Sequence, residues 1–143
     1  MSELTLTVEN DASEEDVRFV YDRLVAHNRA RAPDPEWSYV RLFLRDGEGS
    51  IRGGLLGEIY FGWLYVSIVW VDEAHRGGGW GKRLLARAEA EAVARGCHDA
   101  WLDTFSFQAP EYYQPLGYEV FGALEDYPPG ATRYFLRKRL EPG

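Results

Sequence analysis

Between positions 76 and 82 the chain reads Arg76-Gly77-Gly78-Gly79-Trp80-Gly81-Lys82. Glycines at 77, 78, 79 and 81 strip the segment of side chains, so its backbone N–H groups are open to a ligand. The preceding run, Leu64 to Val71, is apolar and β-branched and reads as a strand. The following run, Trp80 to Arg95, has the apolar spacing of an amphipathic helix. The first turn of a helix carries N–H groups without intrahelical partners and a partial positive charge behind them. Strand, bare turn and helix start together make a site for a phosphate or diphosphate group. Taken by itself, the loop also admits the plainer reading of a glycine-rich connection with no ligand.

Spacing separates the possible phosphate binders. In a P-loop, G-x-x-x-x-G-K-[ST], a glycine stands five places before the G-K pair and a hydroxyl residue follows it. Here those positions hold Arg76 and Arg83. In the dinucleotide pattern G-x-G-x-x-G begun at Gly77, the third glycine falls on Lys82. The pattern that fits is Arg-x-x-Gly-x-Gly, at Arg76, Gly79 and Gly81, and it resembles the acetyl-CoA loop of the Gcn5-related N-acetyltransferase (GNAT) superfamily. A second segment, Glu111-Tyr112-Tyr113-Gln114-Pro115-Leu116-Gly117-Tyr118, resembles the aromatic-Tyr pair and Leu-Gly-aromatic turn found later in the same family. The two segments stand in the order that the family requires. The resemblance extends from about Ser13 to Leu140.

The resemblance implies a set of site residues. The diphosphate of acetyl-CoA would lie on Arg76, Gly77, Gly78, Gly79, Trp80, Gly81 and Lys82. Backbone groups of Val69 and Val71, together with Gln108, would meet the pantetheine arm, and Tyr113 would point its hydroxyl at the sulfur. Gln108 stands in for the Asn that often precedes the aromatic-Tyr segment. Tyr112 reads as core packing. Acyl transfer to an amine needs a base for the amine proton, a donor for the carbonyl oxygen and a proton for the leaving thiolate. A backbone N–H near Val71 answers the second demand. Tyr113 answers the third, since a phenol titrates near pH ~10 and is protonated at neutral pH. Glu58 and Asp103 are the carboxylates assigned to the base or to substrate binding. Asp72 and Glu73 read equally well as turn caps, and His75 as loop packing. No metal is implied.

The activity implied is acetyl-CoA-dependent N-acetylation of a primary amine on a small molecule, by direct attack in a ternary complex. Two alternatives stay open: a protein lysine or N-terminal acetylase, and an acyl-CoA-binding sensor without turnover.

The elements that must hold these residues follow from periodicity. Leu4 to Val8 alternates as a strand, and Ser13 or Asp11 caps a helix with Glu14, Glu15 and Asp16 in its first turn. Val17, Val20, Tyr21, Leu24 and Val25 form its apolar stripe, which reads as lying on a core. Pro33 and Pro35 end it. Strands follow at 37–45, 51–60, 63–71, 100–104, 118–124 and 132–140, with Asp46 to Gly49 as a hairpin turn and a bulge at Gly53-Gly54. A short helix occupies 108–116, and Gly117 suits a left-handed cap. The expected fold is α/β (α+β) of GNAT type, a mixed and mostly antiparallel sheet with helices on both faces and splayed central strands. The aromatic residues near the cleft, Tyr60, Trp63, Tyr65, Trp70, Phe105, Phe107 and Tyr127, read mostly as core.

Length and composition agree with one domain over residues 1–143. The chain is 45% apolar and 27% charged, with 23 acidic against 16 basic residues and a net charge of −7. That balance disfavours nucleic-acid binding, which draws on clustered cations, and favours attraction of a cationic amine. No apolar run is long enough to span a membrane, the N-terminus lacks a signal-peptide pattern, and the single cysteine, Cys97, forms no internal disulfide. These features predict a cytoplasmic protein with no membrane partner, and a homodimer is compatible with them.

Overall fold

The computed structural model describes residues 3–33 and 37–141. Pro35, read above as a helix stop, lies outside them. The chain divides into two compact units, Met1–Asp34 and Pro35–Gly143.

The first unit contains helix α1, Glu14–Arg29. The Ser13 hydroxyl accepts from the Asp16 N–H, and Glu14, Glu15 and Asp16 occupy the first turn as expected. Two expectations are corrected here. Residues 4–8 form no strand, because Leu4, Leu6 and Val8 have no ladder partner among the described residues and stay exposed. Within this unit nothing covers the stripe of α1: Val17, Val20, Tyr21 and Leu24 are each at least half exposed.

The second unit holds β1 (Ser38–Arg45), β2 (Ile51–Tyr60), β3 (Trp63–Val71), α2 (Trp80–Ala94), β4 (Asp99–Phe105), α3 (Pro110–Tyr113), β5 (Glu119–Glu125) and β6 (Thr132–Arg139). They build a six-stranded sheet in the order β1-β2-β3-β4-β6-β5. The pairings are antiparallel except β3 with β4, which α2 joins as a parallel crossover. One face of the sheet carries the core. Val40, Leu55, Leu64, Val66, Ala100, Leu102 and Leu136 project from it onto Leu84, Leu85, Ala88 and Ala92 of α2. Cys97 is buried in the same cluster, as a small apolar residue.

Bulges shape the strands that lead to the glycine loop. Leu44 pairs with Gly53 and Arg45 with Ile51, so the extra residue is Arg52, beside the glycine pair rather than within it. Gly53 and Gly54 instead allow close cross-strand approach, since a Cβ on Gly54 would stand 2.7 Å from the Leu42 carbonyl oxygen. A second bulge falls in β3. Leu56 pairs with Ile68 and Gly57 with Val66, leaving Ser67 unpaired, and its Oγ donates to the Leu56 carbonyl at 2.9 Å. The β3–β4 ladder runs from Trp63↔Asp99 to Val66↔Leu102 and stops there. Beyond the bulge the two strands part, as the splayed arrangement requires.

Of the aromatic residues expected in the core, Tyr60, Trp63, Trp70, Phe107 and Tyr127 are exposed. Strand geometry explains part of this: Tyr60 lies out of phase with the buried positions of β2, and Trp70, in phase with Leu64 and Val66 by count, is carried to the other face by the extra residue at Ser67.

Gly57 sits beside the Ser67 bulge, and a Cβ there would stand 2.9 Å from the Tyr65 carbonyl oxygen. Gly57→Ala should therefore destabilise the protein by about 1–3 kcal/mol, seen as a lower urea midpoint with an unchanged slope.

Candidate active site

The loop after β3 is built to leave donors open. Gly79, at φ 81°, takes the N-cap position of α2, and Gly77 has φ 84°. Such angles are strained for a residue bearing a Cβ. Unlike α1, α2 has no side-chain cap and no acidic residue in its first turn, where Lys82 and Arg83 stand instead. The N–H groups of residues 77–82 donate to no other described group, and the first donor back to the loop is Arg83, to the Gly79 carbonyl at 3.1 Å. Unpaired donors, a helix dipole and two nearby cations favour an external anion. Asp72 caps the turn that precedes them, accepting from the Ala74 N–H, with Arg52 and His75 beside its carboxylate. Of the alternatives left open for Asp72, capping is the one its contacts match.

The gap between β3 and β4 leads away from this loop. Asp72 N–H donates to the Arg52 carbonyl at 2.7 Å. Successive residues of a strand point to opposite edges, so Val71 and Val69 turn their polar groups to the edge that β4 has left. The Val71 carbonyl accepts from Arg76 Nε at 2.9 Å, which holds the guanidinium at this edge. A cavity of about 430 Å³ fills the gap, lined by Ser67, Ile68, Val69, Arg76, Asp103, Thr104, Gln108, Ala109 and Tyr113. It thus unites Val69, Arg76, Asp103, Gln108 and Tyr113 of the residues expected from sequence. Gly77 to Lys82, Val71 and Glu58 are not among its lining residues.

The Gln108 amide is oriented by the chain itself. Its Oε1 accepts from the Phe105 N–H at 2.8 Å and from Thr104 Oγ1 at 3.0 Å. A backbone N–H needs an acceptor, which assigns the oxygen to that side and leaves the Nε2 donors for the cavity. Tyr113 is half-buried, and burial raises its hydroxyl pKa, so it is protonated at neutral pH. Its hydroxyl bonds to no other described residue. Behind it, Tyr118 Oη donates to Glu89 Oε2 at 2.8 Å, and Lys138 Nζ donates to Glu89 Oε1 at 2.8 Å. These bonds tie the segment after α3 to the middle of α2 and to β6. Gly117, at φ 100°, turns the chain into this anchor as expected. Tyr112 differs from its core-packing expectation. It is 41% exposed, and a Cβ on Gly81 would stand 2.7 Å from its hydroxyl oxygen.

Asp103 is already engaged. Its Oδ1 accepts from Tyr65 Oη at 2.8 Å, and its Oδ2 lies 2.8 Å from Arg133 Nε and 2.7 Å from Arg133 Nη2. Arg133 Nη1 donates to Tyr127 Oη at 3.1 Å. Asp103 pairs with Phe135, two residues beyond Arg133, across the β4–β6 ladder, which puts both side chains on the face opposite α2. Arg133, Tyr65 and Tyr127 were not singled out for this network from sequence, and no local pattern marks them. Glu58 pairs in register with Tyr65 on the neighbouring strand and shares its face. It makes no hydrogen bond or ion pair with another described residue, and its charge contributes to the raised pKa of Tyr65.

Comparison with known proteins agrees with this geometry. The family model described as Acetyltransferase (GNAT) family matches residues 5–118. A blasticidin-S acetyltransferase from Streptomyces morookaense is 46% identical over 93 residues, 64% of this chain and 68% of that protein. Acetyltransferase Atu2258 from Agrobacterium fabrum is 37% identical over 129 residues, 90% of this chain and 94% of that protein. The crystal structure of an acetyltransferase from Bacillus cereus superposes with a TM-score of 0.87 at 36% identity, covering 94% of this chain and 98% of the other. The chain therefore belongs to the GNAT family of acetyltransferases and is an N-acetyltransferase. The family uses acetyl-CoA as co-substrate. No described helix is long and apolar enough to cross a membrane.

Burial, followed by the bond to Asp103, raises the Tyr65 pKa from 10.0 to about 12. The folded protein then holds this proton more tightly than the unfolded chain. The resulting stability is fully present below pH 10 and is lost as pH rises towards 12. Tyr65→Phe should lower stability at pH 8 by about 1 kcal/mol and flatten the decline between pH 10 and 12, as read from urea midpoints.

Proposed function

We propose that residues 1–143 act as one acetyltransferase domain that moves the acetyl group of acetyl-CoA to a primary amine on a small molecule. The observation that carries this reading is the continuity from unpaired loop donors to the cavity. Arg76 starts the glycine segment and also lines the gap that contains Tyr113. One extended ligand with a diphosphate at one end and a thioester at the other matches that layout. The acceptor class is supported by the relative named for blasticidin S and by the acidic balance of the chain. A cytoplasmic location suits the buried lone thiol.

In this reading Arg76, Gly77, Gly78, Gly79, Trp80, Gly81 and Lys82 hold the diphosphate. The free edges of Val69 and Val71 pair with the pantetheine arm, and the Gln108 amide donates to it. The Val71 N–H stabilises charge on the carbonyl oxygen. Tyr113 gives its proton to the departing sulfur. Glu58 takes the amine proton through water, because its carboxylate has no competing partner. Asp103, already paired with Arg133, shapes the acceptor side and orients Tyr65.

The test combines isothermal titration of acetyl-CoA with thiol release across a panel of amines and peptides. Saturable binding and release with small amines are expected. Tyr113→Phe should lower kcat by about a hundredfold while leaving the Kd for acetyl-CoA unchanged. Binding without thiol release from any acceptor would instead indicate a sensor, release with peptides alone would indicate a protein acetylase, and absence of binding would overturn the reading.

A further inference from the structure

Tyr112 and Tyr113 are consecutive, yet they face different surroundings. Their rings meet edge to face, with centroids 5.2 Å apart and planes at 85°. Tyr113 lines the cavity between the strands. Tyr112 leaves the core and brings its hydroxyl against Gly81, in the first turn of α2, so closely that a Cβ there would lie 2.7 Å from the oxygen. Only a glycine at position 81 admits this approach. The hydroxyl therefore stands against the first turn of α2, the turn whose N–H groups have no partner among the described residues. It makes no hydrogen bond with another described residue, and Tyr112 is 41% exposed. A phenol pressed against a helix start, with its donor unused, is positioned for an oxygen anion.

We propose that Tyr112 is a coenzyme-binding residue whose hydroxyl donates to the diphosphate of acetyl-CoA, so that adjacent tyrosines address the two ends of one arm. This rests on the acetyl-CoA reading above and extends it to a residue that sequence spacing assigned to packing. Gly81 then has a second role: besides opening its own N–H, it makes room for the tyrosine hydroxyl. The contact is a charge-assisted hydrogen bond, in the class that contributes most to anion binding.

Tyr112→Phe removes only the hydroxyl and keeps the ring contact with Tyr113. The test compares the unaltered protein and this variant for binding of acetyl-CoA and of S-acetylpantetheine, which lacks the diphosphate. Titration measures the first, and competition against acetyl-CoA measures the second. The Kd for acetyl-CoA should rise about tenfold, with the Kd for S-acetylpantetheine and the melting midpoint unchanged. An unchanged Kd for acetyl-CoA would overturn the proposal. Equal weakening of both ligands would also overturn it, because the hydroxyl would then act through packing. Failure of the unaltered protein to bind acetyl-CoA would bring down the parent reading first, and is recognisable because it requires no variant.

Discussion

The end of the β3–β4 ladder at Val66↔Leu102 is the constraint on which the site depends. A parallel pair that continued to Val71 and Phe105 would satisfy its own polar groups and leave no gap. Ser67 prevents this. As the extra residue of a bulge it disrupts the local register and turns β3 away from β4 while β3 keeps its pairing with β2. The free edge of Val69 and Val71 arises from the same step. A single inserted residue thus leaves strand polar groups without a partner in the sheet.

Two supports hold this opening in shape. On the core face, Leu84, Leu85, Ala88 and Ala92 fasten α2 to the sheet, so the start of the helix and its unpaired donors stay in place. Glu89 of the same helix receives Tyr118 and Lys138, which fixes the chain that follows Tyr113. On the other face the Asp103–Arg133 pair bridges β4 and β6 with little exposure, 10% and 24% for the two side chains. A pair shielded to that degree loses more when one partner is removed than it contributes beyond an apolar contact. Its value here lies in geometry, since it sets Asp103 against Tyr65. Glu58 makes no such pair with another described residue.

Much of the second unit was legible in the chain. The strands at 63–71 and 132–140, the helix from Trp80 and the left-handed turn at Gly117 all follow from local patterns of apolar spacing and glycine placement. Errors arose where a local pattern needed a distant partner. Residues 4–8 alternate like a strand yet pair with nothing described, and the apolar stripe of α1 is exposed. Alternation records which side chains share a face, and it is silent on whether anything covers that face. Tyr112 was misjudged for a related reason, because an aromatic pair in a short helix carries no sign of which ring turns outward.

By itself the sequence determined the bare loop, the helix start without acidic residues and the tyrosine segment, because each is a matter of residue type and near-neighbour spacing. Only the tertiary structure decided which groups meet across the sheet. The last strand, β6, inserts between β4 and β5, so Arg133 reaches Asp103 from 30 residues away and engages a carboxylate that the sequence assigned to the base or to substrate binding. It also decided where the sheet opens, since one unpaired serine matters only against the register of its neighbour. Local preference acts within a few residues, whereas ladder register and side-chain pairing depend on strand order, which residue spacing does not encode.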